Sequence, residues 1–164
     1  SSIQPVLERF YSCIEKITSP GTLDGGDVMQ VGEHFYIGIS ARTNLAGANQ
    51  LISILERYGM SGATVPVTEC LHLKTGVTCV SEKTLLATGA YVSRPEFAGF
   101  KVLPVTDAES AAANCIHING KLLMPAGFPL VRQQLIAAGA QVIEVDISEY
   151  AKLDGGLTCL SLRF

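Results

Sequence analysis

Leu153-Asp154-Gly155-Gly156-Leu157-Thr158-Cys159-Leu160-Ser161-Leu162-Arg163-Phe164 closes a sequence in which Leu23-Asp24-Gly25-Gly26 has already occurred. After its glycines the closing stretch alternates. On a two-residue period Leu157, Cys159, Ser161 and Arg163 share one face, and Thr158, Leu160, Leu162 and Phe164 the other. The spacing predicts a short strand within 153–164 whose second face is core. Paired glycines before it let a ligand or another backbone come close. A cysteine on the mixed face is free for more than packing, although free cysteines are among the most buried residue types.

Upstream, the same arrangement recurs. Val28-Met29-Gln30-Val31, a turn at Gly32-Glu33-His34 and Phe35-Tyr36-Ile37-Gly38-Ile39 read as strand, hairpin and strand. A polar loop, Ser40-Ala41-Arg42-Thr43-Asn44, leads to a helix over 48–58 with Leu51, Ile52 and Leu55 inward, then a strand over 64–67. A second unit has strands over 77–80, 84–88 and 100–105 with only a helical turn at 94–97. A third has strands over 114–118 and 122–124 joined by Asn119-Gly120-Lys121, where Asn-Gly is a strong hairpin signal, then a helix over 128–138 and a strand over 141–145. Val6, Leu7, Phe10, Tyr11, Ile14 and Ile17 predict an amphipathic helix over 3–17, stopped by Ser19-Pro20-Gly21. The expectation is one α/β domain of repeated units, 20–68, 69–106 and 107–147, with 153–164 opening a fourth. A repeat of roughly 40–50 residues is the signature of propellers and arrays.

The chain has 164 residues, 48% hydrophobic and 16% charged, which excludes disorder and supports one packed core. A net charge of −3 with scattered Lys and Arg excludes a nucleic-acid footprint. No apolar run suffices to cross a bilayer. Five cysteines, an odd number without a C-x-x-C pair, fit the reduced thiols of a cytoplasmic protein. The three histidines and five cysteines lack zinc-site spacing, so no structural metal site is expected. His34 and His117 read as structural, and Cys13, Cys70 and Cys115 as small core residues.

Units arranged about an axis would bring equivalent strand starts together, so that Asp24, His72, Asp154 and Cys159 face one another. An acid, a histidine and a cysteine can form an acid-oriented imidazole beside a thiolate, and a neighbouring imidazolium raises a cysteine's thiolate fraction. On spacing alone, turn chemistry, a hydrogen-bonded loop histidine and a packed cysteine explain the same residues at least as well. Cys79 competes with Cys159, since Gly76-Val77-Thr78-Cys79 parallels Gly156-Leu157-Thr158-Cys159.

Four motifs in order carry a resemblance over essentially the whole chain: Gly21-Thr22-Leu23-Asp24-Gly25-Gly26-Asp27-Val28; residues 32–38 with Ser40-Ala41-Arg42-Thr43-Asn44; Leu71-His72-Leu73-Lys74-Thr75-Gly76; and the closing Asp-Gly-Gly-x-x-Cys-x-Ser-Leu-Arg-Phe. The sequence resembles the dimethylarginine dimethylaminohydrolases of the guanidine-modifying amidinotransferase/arginine deiminase superfamily. The resemblance implies an α/β-propeller of the pentein type, five ββαβ units about a pseudo-fivefold axis. It also implies Cys159 as nucleophile rather than Cys79, His72 as general acid/base and Asp24 as the carboxylate that orients it. Arg42 and the Leu153 main-chain carbonyl are implied to hold the amino-acid end of the substrate, and Asp154 to help fix its charge or approach to the thiol. The substrate implied is a small-molecule methylated arginine, hydrolysed to citrulline and an amine without a cofactor. His72-Leu73-Lys74 departs from the His-x-Asp of relatives that deiminate arginine.

Members of this family have five units, whereas this sequence shows three and a further strand. The resemblance therefore implies a C-terminal portion that lacks the acids gripping the guanidinium, with a homo-oligomer or a companion N-terminal fragment as partner. Two alternatives stand beside the methylarginine hydrolase: a catalytically silent fragment or binding module of the same fold, and an arginine deiminase-like enzyme.

Overall fold

The structure, a computed structural model, describes residues 3–161. Its frame is three three-stranded sheets in chain order. The first holds β1 (Val28–Val31), β2 (His34–Ile39) and β3 (Ser61–Pro66). The second holds β4 (Val77–Ser81), β5 (Thr84–Thr88) and β6 (Lys101–Val105). The third holds β7 (Ile116–Ile118), β8 (Lys121–Pro125) and β9 (Val142–Val145). In each, the first two strands form an antiparallel hairpin and the third lies parallel to the second. A parallel return needs a crossover. α2 (Leu45–Arg57) supplies it in the first unit and α4 (Pro129–Ala137) in the third, while two 3-10 turns suffice in the second. The Asn119-Gly120 turn of the third hairpin has both residues at positive φ, 51° and 71°, as the tightest hairpin turns require.

Two cores lie between successive sheets. Met29, Tyr36 and Val65 of the first sheet pack with Val77, Leu85 and Ala87 of the second, together with Tyr91 and Phe97. On the second sheet's other face, Val80, Leu86 and Leu103 meet Leu122, Met124 and the α4 residues Val131 and Leu135. Leu85 and Leu86 are neighbours in sequence and both fully buried; they serve opposite cores because strand side chains alternate. Each such side chain contributes about 1.5–3 kcal/mol by burial. The opening strands are neighbours too, β1 against β4 and β4 against β7.

Two expected elements differ. The helix predicted over 3–17 is reduced to α1 (Gln4–Leu7). Ile3, Val6 and Phe10 are exposed, and a short helix that buries no face is marginal in water. Beyond it the chain is tied along α2 instead: the Gln50 side-chain amide accepts from Thr18 N at 2.8 Å and donates to Thr18 O at 2.9 Å. The strand predicted within 153–164 is also not formed in the described residues. After α3 (Leu73–Gly76) and α5 (Ser148–Ala151), a last 3-10 turn spans Leu157–Leu160; Leu162, Arg163 and Phe164 lie outside the described residues. A strand needs a partner for its backbone groups. β1 has β2, but residues 157–161 pair with no strand among those described, and a local bond from Cys159 N to Gly156 O (3.1 Å) closes a turn. The expected faces change accordingly: Leu157 is buried and Leu160 exposed.

Candidate active site

Asp24, His72 and Arg42 are brought together from three different loops. Asp24 stands at the start of a 3-10 turn, Gly25–Asp27, and its Oδ1 accepts from Gly26 N at 2.9 Å. That bond, then the nearby His72 ring and Arg42, hold the Asp24 carboxyl below its ordinary value. His72 precedes α3 and is buried. Its Nε2 lies 3.3 Å from Asp24 Oδ2, inside ion-pair range but off the line of a hydrogen bond, so the nitrogen has no hydrogen-bond partner among the described residues. Arg42 Nη1 lies 3.5 Å from the same oxygen and is mostly exposed. A surface pair of that kind contributes at most about 1 kcal/mol, so Arg42 can leave Asp24 for another carboxylate.

Gly26 is what lets the imidazole lie against the Asp24 turn. A Cβ there would stand 2.6 Å from His72 Cγ and 2.9 Å from Nδ1. The Asp-Gly-Gly signature is thus explained at its second glycine by close approach of a side chain.

The cysteine half is held separately. Leu157 is buried, Thr158 N donates to Asn114 Oδ1 at 3.0 Å, and a Cβ on Gly156 would meet the Asn114 amide nitrogen at 2.6 Å. Asn114 is itself buried. Cys159 is exposed and its Sγ forms no hydrogen bond among the described residues. Leu153 and Asp154 are exposed, and Asp154 has a φ of 57°. The same four residues, Leu-Asp-Gly-Gly, therefore adopt different backbones in their two occurrences: Asp24 is extended with φ −108°, Asp154 left-handed.

The other thiols sort by burial. Burial pushes the Cys79 and Cys70 thiols up, and Cys115 to about 12, which keeps all three protonated at neutral pH. Cys13, expected in the core, is exposed with its Sγ 3.3 Å from Tyr58 Oη. His34 pairs with Ser61 Oγ at 2.8 Å. Among the described residues, no group of three His, Cys, Asp or Glu could hold a metal ion, and no helix is long and apolar enough to cross a membrane. Cavities of about 380 Å³ beside α2 and about 210 Å³ beside His117 lie away from His72.

Sequence reasoning passed over one residue of this region. Asp27 is fully buried and accepts hydrogen bonds from Ser40 Oγ (2.7 Å), Thr43 Oγ1 (2.6 Å) and Leu73 N (3.0 Å). No local signal marked it, because the donors that compensate this buried charge come from residues distant in sequence.

The sequence profile of the family described as arginine deiminase matches residues 6–122. The chain is 51% identical over 163 residues to the N(G),N(G)-dimethylarginine dimethylaminohydrolase of Pseudomonas aeruginosa, covering 99% of this chain and 64% of that relative. A cysteine-to-serine mutant of the P. aeruginosa enzyme complexed with citrulline superposes with a TM-score of 0.94 at 50% identity, again over 99% of this chain and 64% of that one. A histidine-to-glycine dimethylarginine dimethylaminohydrolase, as its adduct with S-methyl-L-thiocitrulline, superposes with a TM-score of 0.93 at 50% identity over the same shares. The chain thus spans 64% of the length of these relatives and shares their α/β fold of small mixed sheets. With the arginine deiminase profile running through both the Asp24 turn and the His72 turn, the chain belongs to the arginine deiminase family.

Proposed function

We propose that this chain carries the nucleophile and acid–base half of an amidine hydrolase that converts N-methylated arginines and water to citrulline and the methylated amine. The observation that carries the reading is the buried His72 ring, packed on Gly26 with Nε2 3.3 Å from Asp24 Oδ2. An imidazole oriented by a carboxylate in this way is suited to move protons at neutral pH. The cysteine is supported by the relatives: in the two mutant structures, the substituted histidine and cysteine are separated by the same number of residues as His72 and Cys159 here.

In this mechanism the Cys159 thiolate attacks the guanidinium carbon of the substrate. The C–N bond to the methylated nitrogen breaks, His72 donates a proton to the departing amine, and a covalent S-alkylthiouronium remains. His72 then takes a proton from water, the hydroxide adds to the same carbon, and the C–S bond breaks to release citrulline and the thiolate. Asp24, 3.3 Å from the ring nitrogen, orients the imidazole for both steps. Arg42 clamps the substrate carboxylate, a task suited to its bidentate guanidinium, while the Leu153 carbonyl and Asp154 bind the amino-acid end and the approach to the thiol. The thiolate is nucleophile enough without a metal or organic cofactor.

The reading extends to architecture and setting. The units 20–68, 69–106 and 107–147 are successive blades of a pentein-type α/β-propeller, supported by the neighbouring β1, β4 and β7. The free cysteines support a reducing, cytoplasmic setting.

The test is to incubate the chain with asymmetric dimethylarginine and follow citrulline by mass spectrometry, then to treat His72→Gly with S-methyl-L-thiocitrulline and map any adduct. Citrulline release and an adduct on Cys159 are expected. A chain that does neither is a silent binding module.

A further inference from the structure

We propose that Asp27 is the positioning residue that fixes Asp24, Arg42 and His72 relative to one another. Its link to turnover rests on reading this site as an amidine hydrolase; its link to geometry does not.

The hydrogen bonds radiate from one fully buried carboxylate. Asp27 Oδ1 accepts from Leu73 N at 3.0 Å, the amide of the peptide that follows His72. Its Oδ2 accepts from Thr43 Oγ1, and Thr43 Oγ1 in turn accepts from Asp24 N at 3.0 Å. The same Oδ2 accepts from Ser40 Oγ, which accepts from Arg42 N at 3.0 Å and Thr43 N at 3.2 Å. Asp27 thus reaches the peptide beside His72 directly, and the amides of Asp24 and Arg42 through one hydroxyl each.

The direction of every bond is fixed. A serine hydroxyl has one proton and two acceptor sites. Ser40 Oγ uses both sites on backbone amides, so its proton must go to Asp27. Asparagine at 27 could not reproduce this. With its NH2 toward the hydroxyls it would set a donor against the Ser40 proton, and with its NH2 reversed it would face Leu73 N–H. Glu109 provides the comparison. It is also buried and accepts from Leu130 N (3.2 Å) and Val131 N (2.8 Å), at the first turn of α4. Its carboxylate serves one helix, whereas that of Asp27 serves three site residues.

The experiment compares Asp27→Asn with Glu109→Gln in the full chain, reading the ring 1H–13C NMR signals of the three histidines, 34, 72 and 117. In Asp27→Asn the His72 signals are expected to move while those of His34 and His117 stay. In Glu109→Gln all three stay. Where the wild-type chain turns over dimethylarginine, kcat of Asp27→Asn falls on the order of a hundredfold, as expected for a displaced catalytic group, with that of Glu109→Gln unchanged. Unmoved His72 signals in a folded Asp27→Asn overturn the proposal whether or not the chain is active. An inactive wild type with displaced His72 signals refutes the enzymatic reading and leaves the positioning role standing. If Asp27→Asn does not fold, Thr43→Val, which cuts only the Asp24 arm, decides by the same spectrum: displaced His72 signals support the role, and unmoved ones overturn it.

Discussion

The two halves of the candidate site are held in opposite ways. Around Asp24 and His72, a buried carboxylate, two hydroxyls and a glycine leave no slack: the imidazole is buried against the Gly26 backbone and each supporting donor has an acceptor. Around Cys159, one buried leucine and one bond to Asn114 secure a short 3-10 turn that leaves the thiol in solvent. His72, the acid–base group of the proposed mechanism, is built into the frame. Cys159, the nucleophile of the proposed mechanism, sits on a turn with few buried contacts, the kind of segment expected to open locally at low cost.

The largest effect that could break this comparison is chemical. Cys159→Ala is expected to abolish both citrulline release and adduct formation while leaving the denaturation midpoint unmoved, since an exposed side chain contributes within about 0.5 kcal/mol. His72→Ala should lower kcat by about 10²–10⁴-fold, the range of a lost acid–base group; equal losses of stability in the two variants would mean that the halves are not held differently. Gly26→Ala comes next. Its methyl would enter the His72 ring space, so a loss of about 1–3 kcal/mol from overpacking is expected, with a reduced kcat and a displaced His72 signal. Asn114→Ala should sharpen the other half: it frees the Thr158 amide, so hydrogen exchange there accelerates while exchange at Leu73 is unchanged.

The smallest effect is in acid. Asp24 is held below its ordinary value in the folded chain by Gly26 N–H, His72 and Arg42. Its stabilisation is therefore fully present above the unfolded value of about 3.9 and is lost as pH falls through the folded one. Asp24→Asn should flatten that part of the acid limb in urea unfolding measured from pH 5 downward. An unchanged limb would show that the Asp24 contacts do not contribute to stability.

Much of this was legible from residue order. The hairpins and parallel returns follow from two-residue alternation interrupted by turn chemistry, and Asn119-Gly120 announced its turn outright. Asp-Gly-Gly and His-Leu-Lys-Thr-Gly before strands made the acid and the histidine candidates, but the family resemblance and not the spacing suggested their roles. Two things were not legible. Leu153-Asp154-Gly155-Gly156 has the letters of Leu23-Asp24-Gly25-Gly26, but strand formation depends on a partner strand and not on local sequence, so the copies diverge. The role of Asp27 was hidden because its three donors come from positions 40, 43 and 73, and only the fold brings those into reach.

Near the start of each opening strand, one buried polar side chain also reaches forward to the next part of the chain. Asp27 accepts from Leu73 N; Thr78 Oγ1 donates to Ala113 O at 2.7 Å and accepts from Cys115 N at 3.1 Å; Asn114 accepts from Thr158 N. A carboxylate, a hydroxyl and a carboxamide thus occupy three successive joints. All three accept a backbone N–H from the following part of the chain, and Thr78 also donates to a backbone carbonyl, so each joint is sealed by a buried polar side chain with its partner in place. Removing any one of these side chains would leave a backbone donor without its acceptor at a seam between units, a cost of about 1–3 kcal/mol where the donor is buried.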